Sequence, residues 1–180
     1  YEDIDAEYGD LDDFKELVAE CHKRGIRLII DLVMNHTSSK HPWFEAACDY
    51  IEGLGGAEPS EAECPYFGYY NFTREPKGDV YYEVGDTGWY YEAQFWSEMP
   101  DLNLENQAVR DEFDGITSFW MDLGVDGFRL DAAGEYETGQ TTKNIEILSW
   151  FHSMVEEKNA DAYIVAEVWQ DLDTYAKYYE

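Results

Sequence analysis

One pattern recurs three times along the chain: an amphipathic helix, a chain reversal and a short apolar run. In the first copy, Asp10 is placed to cap a helix, and Gly25 is placed to end it in the left-handed backbone conformation that glycine tolerates. The apolar runs show little alternation between polar and apolar residues, which is typical of parallel strands covered on both faces. They lie at 27–33, 127–131 and 163–168. Helices that alternate with buried parallel strands predict an α/β fold.

Three strands are too few to close a barrel, so this pattern alone leaves a barrel segment and a doubly wound sheet open. The second helix is predicted to begin near Asn106, the third to cover 145–155, and another to start at Leu172. The sequence contains no glycine-rich phosphate loop of the GxGxxG or GxxxxGK[ST] type. Nothing therefore favours a nucleotide site.

The repeated pattern breaks between His36 and about Pro100, and this stretch is far too long for an ordinary strand-to-helix loop. It is rich in glycine and proline, and it holds 15 of the 30 Phe, Trp and Tyr residues. We expect a small inserted domain with short strands near 80–84 and 90–95. Its aromatic rings are expected to form its own core, and some of them to stack on the apolar faces of a sugar.

The charge of the chain excludes several classes of partner. It has 12 basic and 40 acidic residues, which gives a net charge of −28. Such a chain is not expected to bind nucleic acid or an anionic membrane surface. Three cysteines cannot form a closed disulfide framework. Cys48 and Cys64 either form one pair or stay free as buried thiols.

Each apolar run contains or ends in an acidic residue, namely Asp31, Asp131 or Glu167. Side chains at the carboxyl ends of parallel strands line the ligand crevice, and a carboxylate there is costly unless it is paired or functional. Arg129 precedes Asp131 by two residues, so both point to the same side, and the guanidinium should keep that carboxylate ionised. An ionised Asp131 would in turn favour a protonated Glu167.

One charged and one protonated carboxyl group are the two groups that cleave a glycosidic bond. The simpler alternative is a structural salt bridge between Arg129 and Asp131. The pair Asn35-His36 follows the first run and falls at the same rim of the sheet. His36 would there donate hydrogen bonds to substrate hydroxyls, or the pair would simply cap the loop.

Four segments resemble signature motifs of the alpha-amylase family, glycoside hydrolase family 13, in the family's order. They are Asp-Leu-Val-Met-Asn-His at 31–36, Met-Pro-Asp-Leu-Asn at 99–103, Gly-Phe-Arg-Leu-Asp-Ala-Ala at 127–133 and Glu-Val-Trp at 167–169. The resemblance covers essentially the whole chain. It implies strands 3 to 5 of a (β/α)8 TIM barrel, with a small B domain inserted after strand 3. Residues 1–37 and 104–180 would be barrel parts, and residues 38–103 the inserted B domain.

The same resemblance assigns roles to the residues at matching positions. Asp131 would be the catalytic nucleophile, and Glu167 the general acid and base. Arg129 would set the ionisation of the nucleophile, and His36 would bind hydroxyls of the sugar ring under attack. Asp31 is usually structural in the family, where it holds the network at the strand ends.

Calcium is the one cofactor that the resemblance implies, because Asn35 matches a position that often binds it in α-amylases. Many relatives carry Lys-His after the nucleophile region, where these residues serve calcium and sugar. This chain has Gly134 and Glu135 there, which argues against a calcium site. The family's third catalytic carboxylate follows strand 7, outside these 180 residues.

The predicted activity is that of a retaining glycoside hydrolase acting on α-1,4, or alternatively α-1,6, bonds in starch or maltooligosaccharides. The nearest alternative is a transglycosidase or isomerase of the same family. A second alternative is a barrel enzyme that holds Mg²⁺ on the three strand-end acids, although Arg129 argues against it because it already places a cation there. A non-catalytic amylase-like binding module is a third, although such relatives usually lose the nucleophile or the acid.

As an isolated segment, the chain is expected to self-associate through its open strand edges and to lack hydrolytic activity. The compartment stays open. Starch is too large to import, so a starch enzyme would be exported, whereas an oligosaccharide enzyme could work inside the cell.

Overall fold

Two three-stranded sheets organise the chain, which is described over residues 1–179 by a computed structural model. The first sheet is parallel with strand order β1-β5-β6, and the second is antiparallel with order β2-β4-β3. The strands are β1 (Ile29–Leu32), β2 (Phe72–Thr73), β3 (Tyr81–Glu83), β4 (Tyr90–Glu92), β5 (Gly127–Leu130) and β6 (Tyr163–Ala166). The helices are α1 (Leu11–Lys23), α2 (Pro42–Gly53), α3 (Gln107–Asp122), α4 (Thr141–Lys158) and α5 (Leu172–Ala176), with short 3₁₀ turns at Pro65–Tyr69 and Lys177–Tyr179.

Local capping residues set the helix ends where the sequence predicts them. The Asp10 carboxylate accepts the backbone N–H groups of Asp12 and Asp13, and the Asp13 side chain accepts the N–H of Asp10 in return. Gly25 follows the end of α1 with a φ of 71°, in the left-handed region. Asn106 caps α3 by accepting the N–H of Ala108 at 2.9 Å. The predicted boundaries near residues 10, 25 and 106 are therefore confirmed.

The parallel sheet alternates with helices and carries the main hydrophobic core. Phe128 of β5, Phe113 of α3 and Phe151 of α4 are all fully buried in one cluster, so both helices contribute to the core around the central strand. In the described residues β1 and β6 each pair with β5 alone, and their outer edges are open. The α/β prediction is confirmed by this arrangement.

Gly127 is required by the close approach of β5 and β6. A Cβ atom at this position would lie 1.8 Å from the carbonyl oxygen of Tyr163 on β6. We expect Gly127→Ala to lower the free energy of unfolding by at least about 3 kcal/mol, because the strands must separate to accept the methyl group. Gly115→Ala is the matched control, because Gly115 lies on the exposed side of α3 with nothing within 4 Å of the added atom.

Urea unfolding measures the change in the free energy of unfolding for Gly127→Ala and for the control Gly115→Ala. The control should be neutral or slightly stabilising, since alanine favours a helix over glycine by about 1 kcal/mol. Equal stability of the two variants would contradict the steric explanation.

The inserted stretch has its own antiparallel sheet, and its aromatic residues pack around Phe44. Phe44 of α2 packs against Tyr70, Phe72 and Tyr91 with ring centroids 4.8 to 6.2 Å apart. The strands predicted at 80–84 and 90–95 exist but are shorter. Helix α2 was not predicted, because its apolar residues lie within a stretch that is punctuated by glycine and proline. These rings therefore pack inside the protein, as expected, but they belong to the hydrophobic cluster that also contains Phe128 of the parallel sheet rather than to a separate core.

Backbone hydrogen bonds join the end of the insert to the end of β1. The N–H of Thr37 donates to Pro100 at 3.1 Å, and the N–H of Leu102 donates to Asn35 at 2.8 Å. His36 and Asp101 face each other as an isolated antiparallel bridge. The motif at 99–103 is thereby fixed beside the rim of the parallel sheet.

The three cysteines are free, so of the two alternatives for Cys48 and Cys64 the unpaired one is observed. Burial, with nearby carboxylates, raises the pKa of the Cys48 thiol to about 12. That thiol is therefore protonated and unreactive at neutral pH. Across residues 1–179, no helix combines the length and the apolar character that crossing a bilayer would need.

Candidate active site

One guanidinium holds together the three acids at the end of the parallel sheet. Strand register places Asp31 on β1 directly beside Arg129 on β5. Arg129 Nη1 donates to Asp31 Oδ1 at 2.8 Å and to Asp131 Oδ1 at 2.6 Å. Its Nη2 lies 2.5 Å from Glu167 Oε2. The predicted pair with Asp131 is present, and the contacts with Asp31 and Glu167 add two carboxylates that sequence spacing could not place.

The electrostatics of this cluster keep Arg129 charged. Hydrogen bonding to Asp31 first, and then to Asp131, raises the pKa of the guanidinium above its usual value. Three carboxylates around one cation also leave an excess of negative charge at the rim. Such a site favours a substrate that develops positive charge in its transition state.

The pKa of Glu167 is lowered in this structure, whereas repulsion from an ionised Asp131 was expected to raise it. A hydrogen bond from the Trp169 indole, together with the Arg129 charge, lowers the pKa of Glu167, and burial opposes this only in part. Repulsion from Asp131 was the only effect on the pKa of Glu167 that could be predicted from the sequence. The contact with the cation was missed because the register between β5 and β6 is not readable from the sequence.

The turn after β5 has a strained backbone directly after Asp131. Ala132, directly after Asp131, has a φ of 48°, which is uncommon for a residue with a side chain. The turn is held by Glu135 N–H donating to Ala132 at 2.9 Å. Asn144 of α4, which is 1% exposed, reaches back to donate to the Gly134 carbonyl at 2.7 Å. The role of Asn144 is not visible in the sequence, since only the folded loop gives it partners.

The two predicted catalytic carboxylates open into a pocket of about 280 Å³. Its walls combine these acids with apolar and aromatic side chains, as a sugar with apolar faces and polar edges requires. Trp169 is 82% exposed and Phe95 is 49% exposed, so both rings are free to stack on a ligand. The lining residues are His36, Phe95, Met99, Asp131, Ala132, Gly134, Glu135, Glu167 and Trp169.

Six of these nine wall residues were not assigned a role from the sequence, and four of the six have large side chains. Met99 and Trp169 could have been proposed as pocket residues, because both lie within the recognised motifs. Glu135 was noted only as a departure from the family pattern. Phe95 was one of many aromatic residues in the insert, and nothing distinguished it before folding.

His36 lies in the pocket wall, as predicted. Its ring packs against Phe95 in an edge-on arrangement with centroids 5.5 Å apart. Burial lowers the pKa of His36, while the charge of Asp131 raises it by a smaller amount. The imidazole is therefore neutral at neutral pH, with one ring N–H available for a substrate hydroxyl.

Asn35, the predicted calcium residue, is engaged by protein atoms. Its Nδ2 donates to Asp101 Oδ1 at 3.1 Å, and Asp101 Oδ2 accepts the N–H of Gln94 at 2.8 Å. No cluster of three His, Cys, Asp or Glu side chains within residues 1–179 is arranged for a metal ion. Calcium takes six to eight oxygen ligands, but here Asn35 presents N–H and both Asp101 oxygens already accept hydrogen bonds. The residues in this arrangement do not fit calcium.

Comparison with known proteins agrees with this geometry. The family described as "Alpha amylase, catalytic domain" matches residues 1–180. The chain is 41% identical over 183 residues to "Alpha-amylase 3" of Dictyoglomus thermophilum, covering 100% of this chain and 34% of that protein. It is 42% identical over 142 residues to an oligo-1,6-glucosidase of Parageobacillus thermoglucosidasius, covering 73% of this chain and 24% of that protein.

Among solved structures, "Eubacterium rectale Amy13B" superposes with a TM-score of 0.95 and 53% identity, over 99% of this chain and 34% of that one. The chain thus spans about a third or less of the length of these relatives. Because the structural neighbours are (β/α)8 barrels, the parallel sheet is a segment of a TIM barrel rather than a doubly wound sheet. By sequence, fold and the placement of its strand-end carboxylates, this chain belongs to the alpha-amylase catalytic-domain family, glycoside hydrolase family 13.

Proposed function

We propose that this chain is the central part of a retaining α-glucan-active glycoside hydrolase that cleaves α-1,4 bonds in starch or maltooligosaccharides. The single observation that carries the proposal is the Arg129 guanidinium, which contacts Asp131 through one nitrogen and Glu167 through the other. Two carboxylates held by one planar group lie close enough to act on one sugar ring. Retaining glycosidases use such a closely spaced pair.

In the first step, an Asp131 oxygen attacks the anomeric carbon while Glu167 gives its proton to the departing glycosidic oxygen. The carbon–oxygen bond to the leaving sugar breaks, and a covalent glucosyl-aspartate forms. In the second step, Glu167 takes a proton from water as the water displaces Asp131. Arg129 orients the nucleophile by donating a hydrogen bond to Asp131 Oδ1, and the neutral His36 ring binds a hydroxyl of the reacting sugar.

The magnesium alternative has less support from the geometry. Arg129 lies among Asp31, Asp131 and Glu167 at distances of 2.5 to 2.8 Å, so a cationic side chain already occupies the place that a metal ion would need. The non-catalytic alternative is disfavoured because both carboxylates face one pocket. Transfer to another sugar uses the same covalent intermediate, so it differs only in what displaces Asp131.

The test requires a complete barrel that carries this segment, which we call the parent enzyme. We expect its hydrolysis of maltopentaose to release the α anomer first, because two displacements restore the original configuration. Proton NMR of the anomeric signals during the first minutes measures this outcome. Initial release of the β anomer would overturn the proposal. Addition of free glucose separates hydrolysis from transfer, since a transferase would form new glucosides instead of free sugar.

A further inference from the structure

The motif at 99–103 has a buried side chain whose contacts lead to the catalytic pocket. Asp101 is 6% exposed, and both of its carboxylate oxygens accept hydrogen bonds. One comes from the backbone of Gln94 and the other from the side chain of Asn35. A buried carboxylate is stable only with such partners, so the local structure is built to keep Asp101 in this orientation.

Asn35 continues the contact chain toward the pocket. Its side chain is 1% exposed, and the Nδ2 atom that donates to Asp101 also lies 3.4 Å from Nδ1 of His36. An amide nitrogen carries two N–H groups and no acceptor. With one N–H directed to Asp101, the other faces the imidazole, so Nδ1 of His36 is the acceptor.

This contact determines where the neutral His36 ring carries its proton. If Nδ1 accepts from Asn35, the proton resides on Nε2, the ring nitrogen that Asn35 does not contact. His36 lines the pocket beside Asp131. Phe95 packs on the same ring and directly follows Gln94, whose N–H fixes Asp101. One short segment of the insert thus supports both the carboxylate and the imidazole.

We infer that Asp101 is a positioning residue: through Asn35 it fixes the His36 ring with its proton on Nε2, so that His36 donates to a hydroxyl of the reacting sugar. This role rests on the proposed function, because it supposes that a sugar occupies the pocket. It is carried out by direct hydrogen bonds rather than through a bound cation, in agreement with the poor fit of Asn35 and Asp101 to calcium.

The first experiment measures the tautomer and does not depend on activity. In the parent enzyme, ¹⁵N NMR of the His36 ring is expected to show the proton on Nε2. Asp101→Asn should shift the ring toward a mixture of tautomers, because one amide oxygen cannot accept from both the Gln94 N–H and the Asn35 side chain. Glu92→Gln is the matched control: it also removes a charge next to Asp101, but its side chain contacts Asn71 instead of Asn35. An unchanged tautomer in Asp101→Asn would overturn the inference.

The second experiment is a double-mutant cycle on kcat/KM. Asp101→Asn should lower kcat/KM about tenfold in the wild-type background and have little effect when His36 is already replaced by Ala, since the two residues act through one contact chain. Equal losses in both backgrounds would show a general structural role and overturn the inference. A parent enzyme without glycosidase activity but with the expected tautomer change would overturn the proposed function alone.

A third experiment, with and without calcium, distinguishes direct hydrogen bonding by Asp101 from an effect through a bound calcium ion. The tautomer and the melting temperature are expected to be unchanged after chelation and after calcium is added back. If calcium restores the tautomer of a chelated sample, Asp101 acts through the ion and the direct hydrogen-bond role is wrong.

Discussion

Asp131→Asn will lower kcat of the parent enzyme on maltooligosaccharides by at least about 10³-fold, because an amide oxygen is a poor nucleophile toward an anomeric carbon. The substitution changes little in size. The introduced amide oxygen is expected to keep a hydrogen bond from Arg129, which retains ion pairs with Asp31 and Glu167. The loss should therefore appear in kcat and leave the fold intact.

Trapping the intermediate tests the chemical role of Asp131 directly. A 5-fluoroglucosyl fluoride, which forms the glucosyl-enzyme faster than water removes it, should add one glycosyl mass to the wild-type enzyme. Peptide mapping should place that mass on Asp131, and the variant should show no adduct. Activity that survives Asp131→Asn within about tenfold would show that the role assignment is wrong.

Asp31→Asn is the matched control for this experiment. Asp31 contacts the same guanidinium at 2.8 Å, yet it is more exposed and does not line the pocket. We expect its replacement to cost less than about tenfold in kcat and to leave adduct formation intact. An equal loss of kcat in Asp131→Asn and Asp31→Asn would mean that the loss comes from the changed charge around Arg129 and not from removal of a nucleophile.

The helices and the parallel strands could be predicted because their signals are local. Asp10, Gly25 and Asn106 mark helix ends through contacts with residues a few positions away, and apolar runs mark buried strands. The acids at strand ends could be predicted to meet, because parallel strands share one carboxyl edge. These inferences need no knowledge of which residues face each other across the sheet.

Contacts that depend on register or on the folded insert could not be predicted in the same way. The ion pair of Arg129 with Glu167 crosses from one strand to the next, and missing it led to the wrong direction for the pKa shift of Glu167. Helix α2 and the pocket position of Phe95 depend on how the insert packs. Asp101 was recognised as part of a motif, but its partners Gln94 and Asn35 are known only from the fold.

Glu167→Gln will lower kcat/KM on maltooligosaccharides by about 10² to 10⁴-fold, the usual contribution of a general acid. The leaving sugar oxygen must receive a proton, and glutamine has none to give. A glucoside with a dinitrophenyl leaving group needs no such proton, so its first step should slow by less than about tenfold. This dependence on the leaving group is measured by comparing the two substrates under pre-steady-state conditions.

The second step should also be affected, because Glu167 is the base that activates water. With the dinitrophenyl substrate, the glucosyl-enzyme is expected to accumulate in the variant. Azide, which needs no base, should restore turnover and give a glucosyl azide of retained configuration. Glu135→Gln is the matched control, since Glu135 lines the same pocket but contacts Gln170 rather than Arg129.

The pH profile connects this prediction to the electrostatics of the site. A general acid is active only while protonated, so wild-type kcat/KM falls as pH rises through the pKa of Glu167 in the free enzyme. The Trp169 indole and Arg129 lower that pKa, so the descending limb lies at a lower pH than an unperturbed glutamate would give. Glu167→Gln should abolish that limb while Glu135→Gln keeps it. A limb that persists in Glu167→Gln, with no azide rescue, would assign the acid role to another group.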